Sequence, residues 1–115
     1  RTNRKDEMWL RYIYGLWNDK KDHSSALENF QSTYNSSTQF HIYGFNWTNT
    51  NMNWYIDGQL VHTKTRGVEV PNLDWPNKTM CMVMNNGLMR VVEEGNTTFP
   101  NSLIVDYLRI YQKDN

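Results

Sequence analysis

A second cysteine is missing from this 115-residue sequence, so Cys81 has no internal partner and no disulfide staples the chain. Its place in an apolar run makes a buried, inert thiol the expectation. Alanine is nearly absent too, with Ala26 the one example beside 5 Trp, 7 Tyr and 4 Phe. A chain poor in the best helix former and rich in aromatic residues favours strands. No run approaches the ~20 apolar residues that a membrane span needs. An excess of either charge is also lacking, since 12 Lys and Arg balance 12 Asp and Glu. Bulk electrostatics therefore offers nothing to a nucleic acid or an anionic membrane, and neither partner is expected. His23, His41 and His62 are dispersed without His or Cys neighbours at ligand spacing, which argues against a zinc site. The sequence opens at Arg1, without Met and without a signal-peptide pattern, and reads as a processed or truncated product. At this length it holds at most one small domain.

What is present is a strand pattern. Phe40 to Trp47 is aromatic and β-branched; the polar run Thr48-Asn49-Thr50-Asn51 breaks it, and Asn53 to Ile56 resumes. Asp57-Gly58 follows, the dipeptide that tolerates the positive φ angles of a tight hairpin turn. Gln59 to Thr65 is the returning strand, with Leu60, His62 and Lys64 alternating against Val61, Thr63 and Thr65. Upstream, Met8 to Trp17 reads as a strand with both faces apolar: Trp9, Arg11, Ile13 and Trp17 on one, Leu10, Tyr12, Tyr14 and Leu16 on the other. Asn18 to Asp22 reads as a polar turn, and Ser24 to Thr38 as a loop in preference to one helical turn over Ser25 to Phe30. Arg66 to Asn77, with Gly67, Pro71 and Pro76, is a connection. Thr79 to Asn86 and Leu103 to Gln112 are two further expected strands, the first closed by the turn signal Asn86-Gly87. Trp47 and Trp54 are expected in the core. Four Asn-x-Ser/Thr triplets, at Asn35, Asn46, Asn77 and Asn96, are taken as chance in so asparagine-rich a chain. Six or seven strands at hairpin spacing give an all-β fold, an antiparallel β-sandwich.

Two ordered blocks carry a resemblance. Phe40, His41, Tyr43, Trp47, Thr48, Trp54, Tyr55, Asp57 and Gly58 stand where glycoside hydrolase family 16 has "F-H-x-Y-x-x-x-W-T" and then "x-W/F-Y-x-D-G". Phe99-Pro100-Asn101-Ser102 and Val105-Asp106-Tyr107-Leu108-Arg109-Ile110-Tyr111-Gln112 resemble that family's closing strand. The resemblance is clearest over 38–113 and weak over 1–37. It implies a concanavalin A-like jelly roll, of which residues 1–115 are an incomplete C-terminal portion of a single domain needing an N-terminal half. It further implies an endo-acting, retaining glycosidase that cleaves a β-linked polysaccharide such as a β-glucan or galactan, secreted or at the cell surface. Such an enzyme keeps a nucleophile and a general acid on one strand, in "E-x-D-x-x-E" or "E-x-D-x-E", with carboxyl groups about 5 Å apart. Neither pattern occurs here: Asp6-Glu7 and Glu93-Glu94 lack acidic partners in register. No catalytic residue is assigned to this chain, which is expected to be inactive alone.

For the cleft wall the resemblance implies four substrate-binding candidates, Tyr12, Asn85, Arg11 and Trp17. Tyr12 sits near a family tyrosine that faces substrate, with core filler as the other reading. Asn85 and Val83 occupy positions where lichenases keep Trp and Asn, a departure that leaves laminarinase-, agarase- or carrageenase-like specificity open. Arg11 either reaches a sugar or lies at a sheet edge, and Trp9 and Trp17 either stack on sugar or fill the core. No cofactor is required, although Asp106 stands where some members bind a structural calcium. The alternative function is a non-catalytic carbohydrate-binding protein on the same fold.

Overall fold

A strand forms only where its backbone groups find partners, and the hairpins supply them locally. The computed structural model describes residues 7–16, 19–29, 38–85, 100 and 102–114; within the first two ranges it describes the side chains of Leu10 and Tyr12. The chain divides into two units, Arg1–Lys78 and Thr79–Asn115. The first unit contains two antiparallel sheets. Strands β1 (Glu7–Leu16) and β2 (Asp19–Asn29) make a hairpin, and β3 (Tyr43–Trp47), β4 (Asn51–Ile56) and β5 (Gln59–Thr65) make a meander in that order. A short 3-10 turn covers Asn72–Asp74. Among the described residues there is no α-helix, and the all-β antiparallel class agrees with part of a jelly roll.

The polar turn expected at residues 18–22 and the loop expected from Ser24 are corrected. Residues 19–22 and 24–29 belong to β2, which pairs with β1 from Leu16↔Asp19 to Glu7↔Asn29, while Asn18 and residues 30–37 lie outside the described residues. Polar composition did not prevent strand formation, because β1 offers a ladder of partners along its length, interrupted at one point. The register slips between Trp9 and Arg11, which leaves one extra residue on β2 as a bulge.

The meander follows its turn chemistry closely. Asp57 has φ 50° and Gly58 φ 81°, both left-handed, as a two-residue hairpin of the I′ kind demands. The Thr48 hydroxyl accepts the N–H groups of Thr50 (3.2 Å) and Asn51 (3.0 Å), and the Thr48 N–H donates to the Asn51 carbonyl (2.9 Å), which closes the preceding turn. One register feature differs from the sequence expectation. Trp54 opposes His62 but Tyr55 opposes Leu60, so Val61 is an extra residue and β5 carries a bulge. Leu60 is thereby moved off the face of His62 and Lys64 and joins Thr63 and Thr65.

The pairings define two faces. Met52, Trp54 and Ile56 share the inner face with His62 and Lys64, and Met52 and Ile56 are buried. Beneath it, Met52, Val70 and Trp75 form the core cluster, with Tyr12 and Trp54 packed against it. Trp54 also meets Phe45 at 5.1 Å and His62 at 5.4 Å between ring centroids. Trp54 thus borders the core as expected, whereas Trp47, on the outermost strand of the meander, remains 37% exposed. The outer face carries Gly44, Asn46, Asn51, Asn53, Tyr55, Leu60, Thr63 and Thr65.

Lys64 is the exception on the inner face, 3% exposed opposite Met52. Burial lowers its pKa from the ordinary lysine value, while the nearby Glu69 carboxylate pulls it back up. A base whose folded pKa is depressed favours the unfolded chain when protonated. Stability should therefore rise as pH climbs through that lowered value towards the ordinary value of about 10.4. The expected result is that the parent gains stability relative to Lys64→Met as pH rises from neutrality to the ordinary lysine value of about 10.4. Parallel urea midpoints for the two proteins across that range would refute it.

In the second unit, residues 79–85 and 102–114 carry no ladder pairing among the described residues, against the two strands expected there. Apolar alternation alone does not make a strand; a neighbouring edge must be available to it. For the same reason Cys81, expected to be buried, is exposed.

Candidate functional site

Aromatic residues at hairpin spacing and a left-handed Asp-Gly turn place one side-chain arrangement at the start of β3. The Asp57 carboxylate accepts the Ile42 N–H through Oδ1 at 2.9 Å and meets His41 Nδ1 through Oδ2 at 2.8 Å, while the Asp57 N–H donates to the Ile42 carbonyl at 2.8 Å. An ionised carboxylate only accepts, so His41 donates from Nδ1. The His41 side chain is 6% exposed. The His41 hydrogen bond, followed by the Ile42 N–H, holds the Asp57 carboxyl below its ordinary pKa. Glu69 is held down likewise, chiefly by the Thr65 N–H donating to its Oε2 at 2.7 Å. A general acid in glycoside hydrolysis needs the opposite shift, a raised pKa that keeps its proton. Asp57 and Glu69 are braces by that criterion, and Asp57 is the turn residue that the sequence indicates.

The second arrangement joins the hairpin to the meander. The Tyr12 hydroxyl donates to the Asp74 carbonyl at 2.7 Å, and its ring is half-buried against the Met52, Val70 and Trp75 cluster. The indole N–H of Trp75 donates to the Thr48 carbonyl at 3.1 Å. Trp75 was not singled out by sequence reasoning. It lies between Asp74 and Pro76 in a segment that reads as a connection, and only its neighbours in space reveal its burial.

The four substrate candidates fall in different places. Tyr12 is on β1 in the first unit, in contact with the core cluster. Arg11 is on β1 opposite Ser24, with its backbone alone described, and Trp17 lies outside the described residues. Asn85 and Asp106 belong to the second unit and are exposed. In that unit the Arg109 guanidinium sits over the Tyr107 ring, 4.8 Å from its centroid. Calcium needs six to eight oxygen ligands. No group of three or more His, Cys, Asp or Glu able to hold a metal occurs among the described residues. Asp106 therefore has no such group around it among the described residues.

Consecutive antiparallel hairpins around an aromatic core define the class: an all-β domain of the sandwich type. The sequence pattern described as "Glycosyl hydrolases family 16" matches residues 11–101, and the chain belongs to that family. A beta-glucanase from Bacillus licheniformis is 35% identical over 52 residues, 45% of this chain and 20% of that protein. A beta-glucanase from Rhodothermus marinus is 29% identical over 87 residues, 65% of this chain and 29% of that protein. A third, from Paenibacillus polymyxa, is 38% identical over 52 residues, again 45% of this chain and 20% of its own length. The chain thus spans less than a third of the curated relatives it matches. No solved structure matches it.

Proposed function

We propose that this chain is part of an endo-acting, retaining glycoside hydrolase that cleaves a β-linked polysaccharide, such as a β-glucan or galactan, outside the cell. Membership of glycosyl hydrolases family 16 over residues 11–101 carries the reading, and the beta-glucanase names of the relatives support a β-glucan. The chain supplies one wall of the cleft, and the catalytic carboxylates come from a strand outside these 115 residues. Retention requires one carboxylate to attack the anomeric carbon while a second protonates the leaving oxygen, across a gap of about 5 Å. On this wall Tyr12, Arg11, Trp17 and Asn85 contact the sugar, rings covering its C–H faces and polar groups meeting its hydroxyls. Tyr12 would do so with its hydroxyl bound to Asp74, which fixes the ring's tilt. Asp106 would supply one oxygen ligand to a structural calcium, if the parent holds one.

The test is to recover the coding sequence upstream of Arg1, express the parent, and assay lichenan, laminarin, agarose and carrageenan for new reducing ends. The expected result is an acidic strand of the "E-x-D-x-x-E" or "E-x-D-x-E" type, hydrolysis by the parent with retained anomeric configuration, and no hydrolysis by the 115-residue chain. An upstream strand without both acids would overturn the hydrolase and leave a carbohydrate-binding protein on the same fold.

A further inference from the structure

We propose that the outer face of the β3–β4–β5 meander, opposite the side on which Tyr12 packs against the core cluster, is a binding surface for a neutral polysaccharide. Ladder pairing brings Asn46, Asn53 and Thr63 into one row across the three strands, with Asn51 and Thr65 paired beside it. None of the residues on this face carries a charge, although 21% of the chain is Asp, Glu, Lys or Arg. Solvent-facing strand surfaces ordinarily carry both signs of charge. An uncharged row of amides and hydroxyls suits a ligand that offers many hydroxyls and no charge.

Two details give the row the form of a sugar platform. The Thr63 hydroxyl donates to Asn53 Oδ1 at 2.9 Å, which fixes the amide and turns its NH₂ donors to other acceptors. Asn46, next to Asn53 on β3, is exposed and adds a second amide. Tyr55 follows Asn53 by two positions and so projects from the same face, about 7 Å further along the strand. Its ring base rests on Gly44, where an added Cβ would come within 3.2 Å of the Tyr55 Cβ. Gly44 leaves the ring a low bed, and an aromatic face beside fixed amides is suited to a sugar's C–H surface and its flanking hydroxyls. The absence of charge on the face selects a neutral glucan over a sulfated or carboxylated polymer, since there is no cation to meet an anion.

The test is affinity electrophoresis of the full chain through gels containing lichenan, with carrageenan as the anionic comparison. The expected result is retardation by lichenan only, weakened about tenfold in Tyr55→Ala, the factor that corresponds to about 1.4 kcal/mol. Asn46→Ala, at an exposed position, should weaken it while preserving the far-UV circular dichroism, which separates loss of binding from loss of fold. Leu73→Ala, on the exposed 3-10 turn, should migrate as the parent does. Absence of retardation for the parent, equal retardation by carrageenan, or full retardation of both Tyr55→Ala and Asn46→Ala would overturn the proposal. Loss of retardation in Asn85→Ala with none in Tyr55→Ala would place the glucan on the cleft wall and overturn it as well. Hydrolysis is not read in this assay, so failure of the catalytic assignment leaves its outcome distinct.

Discussion

Replacing Trp75 with alanine should destabilise the first unit by about 3–5 kcal/mol, the range for removing a large aromatic side chain from a core. The indole is 5% exposed and forms the buried cluster with Met52 and Val70. Its loss opens a cavity beneath β4 and withdraws the N–H donor that the Thr48 carbonyl uses. The damage should spread to the hairpin, because the Tyr12 ring rests on the same cluster and its hydroxyl is bound at Asp74, one residue before the indole. Trp75→Phe keeps most of the volume and loses the hydrogen bond, so its expected penalty is nearer 1 kcal/mol. Urea unfolding followed by near-ultraviolet circular dichroism measures both. An alanine variant with the parent's midpoint would show that the ring does not fill a core. Hydrogen exchange supplies a second reading: Trp75→Ala should expose β1 amides as well as those of β4.

Replacing Asp57 with alanine should cost about 2 kcal/mol, part from hydrogen bonds to a charged acceptor and part from forcing a non-Asx residue into the left-handed region. The Asp57 carboxylate is half-exposed, so solvent screening keeps the sum at this level. The penalty has a pH signature with a definite sign. The folded carboxyl lies below its ordinary value, because His41 first, and then the Ile42 N–H, stabilise the ionised form. Its contribution is therefore complete above the unfolded value of about 3.9 and disappears as pH falls through the lower folded value. Asp57→Asn retains the turn and an acceptor for Ile42 but removes the charge, so it should be less harmful near neutrality and lack the acid-side slope. Urea midpoints of parent and Asp57→Asn should keep their separation from neutrality down to near pH 3.9 and converge as pH falls further, through the lower folded value. Midpoints that stay parallel below about pH 3.9 as well would show that the carboxylate's charge does not brace this turn.

The meander was legible because its signals are local. Asp57-Gly58 permits one turn type, that turn sets β4 against β5, and the aromatic run preceding Thr48 has only β4 within reach. The braces at Asp57 and Thr48 follow from side chains that bond backbone two or three residues away or across a short hairpin. The first of the two blocks that carry the family resemblance lay in these same residues, and the family match over residues 11–101 bears the resemblance out. Legibility failed where pairing depended on distant or shifted partners. The segment from Asp19 to Asn29 is too polar to announce a strand, yet β1 takes it as one. Met80, Met82 and Met84 alternate as a buried strand would and are exposed. On the candidate cleft wall, sequence could nominate Tyr12 as sugar contact or core filler, but only the tertiary structure shows its hydroxyl bound to Asp74.

Sequence by itself determined the all-β class, the meander with its two turns, and the family, because hydrophobic period, left-handed turn residues and motif order are properties of neighbouring positions. Tertiary structure decided the rest. Counting back from the hairpin turn would set Asn53 against His62; the bulge at Val61 sets it against Thr63, giving an amide–hydroxyl pair in place of an amide–imidazole one. Trp75 became a core residue and Lys64 a buried cation only through what lies against them in space. The physical reason is common to these cases: a single extra residue in a ladder, or one side chain from a remote segment, changes which groups meet without changing the local preferences that a sequence displays.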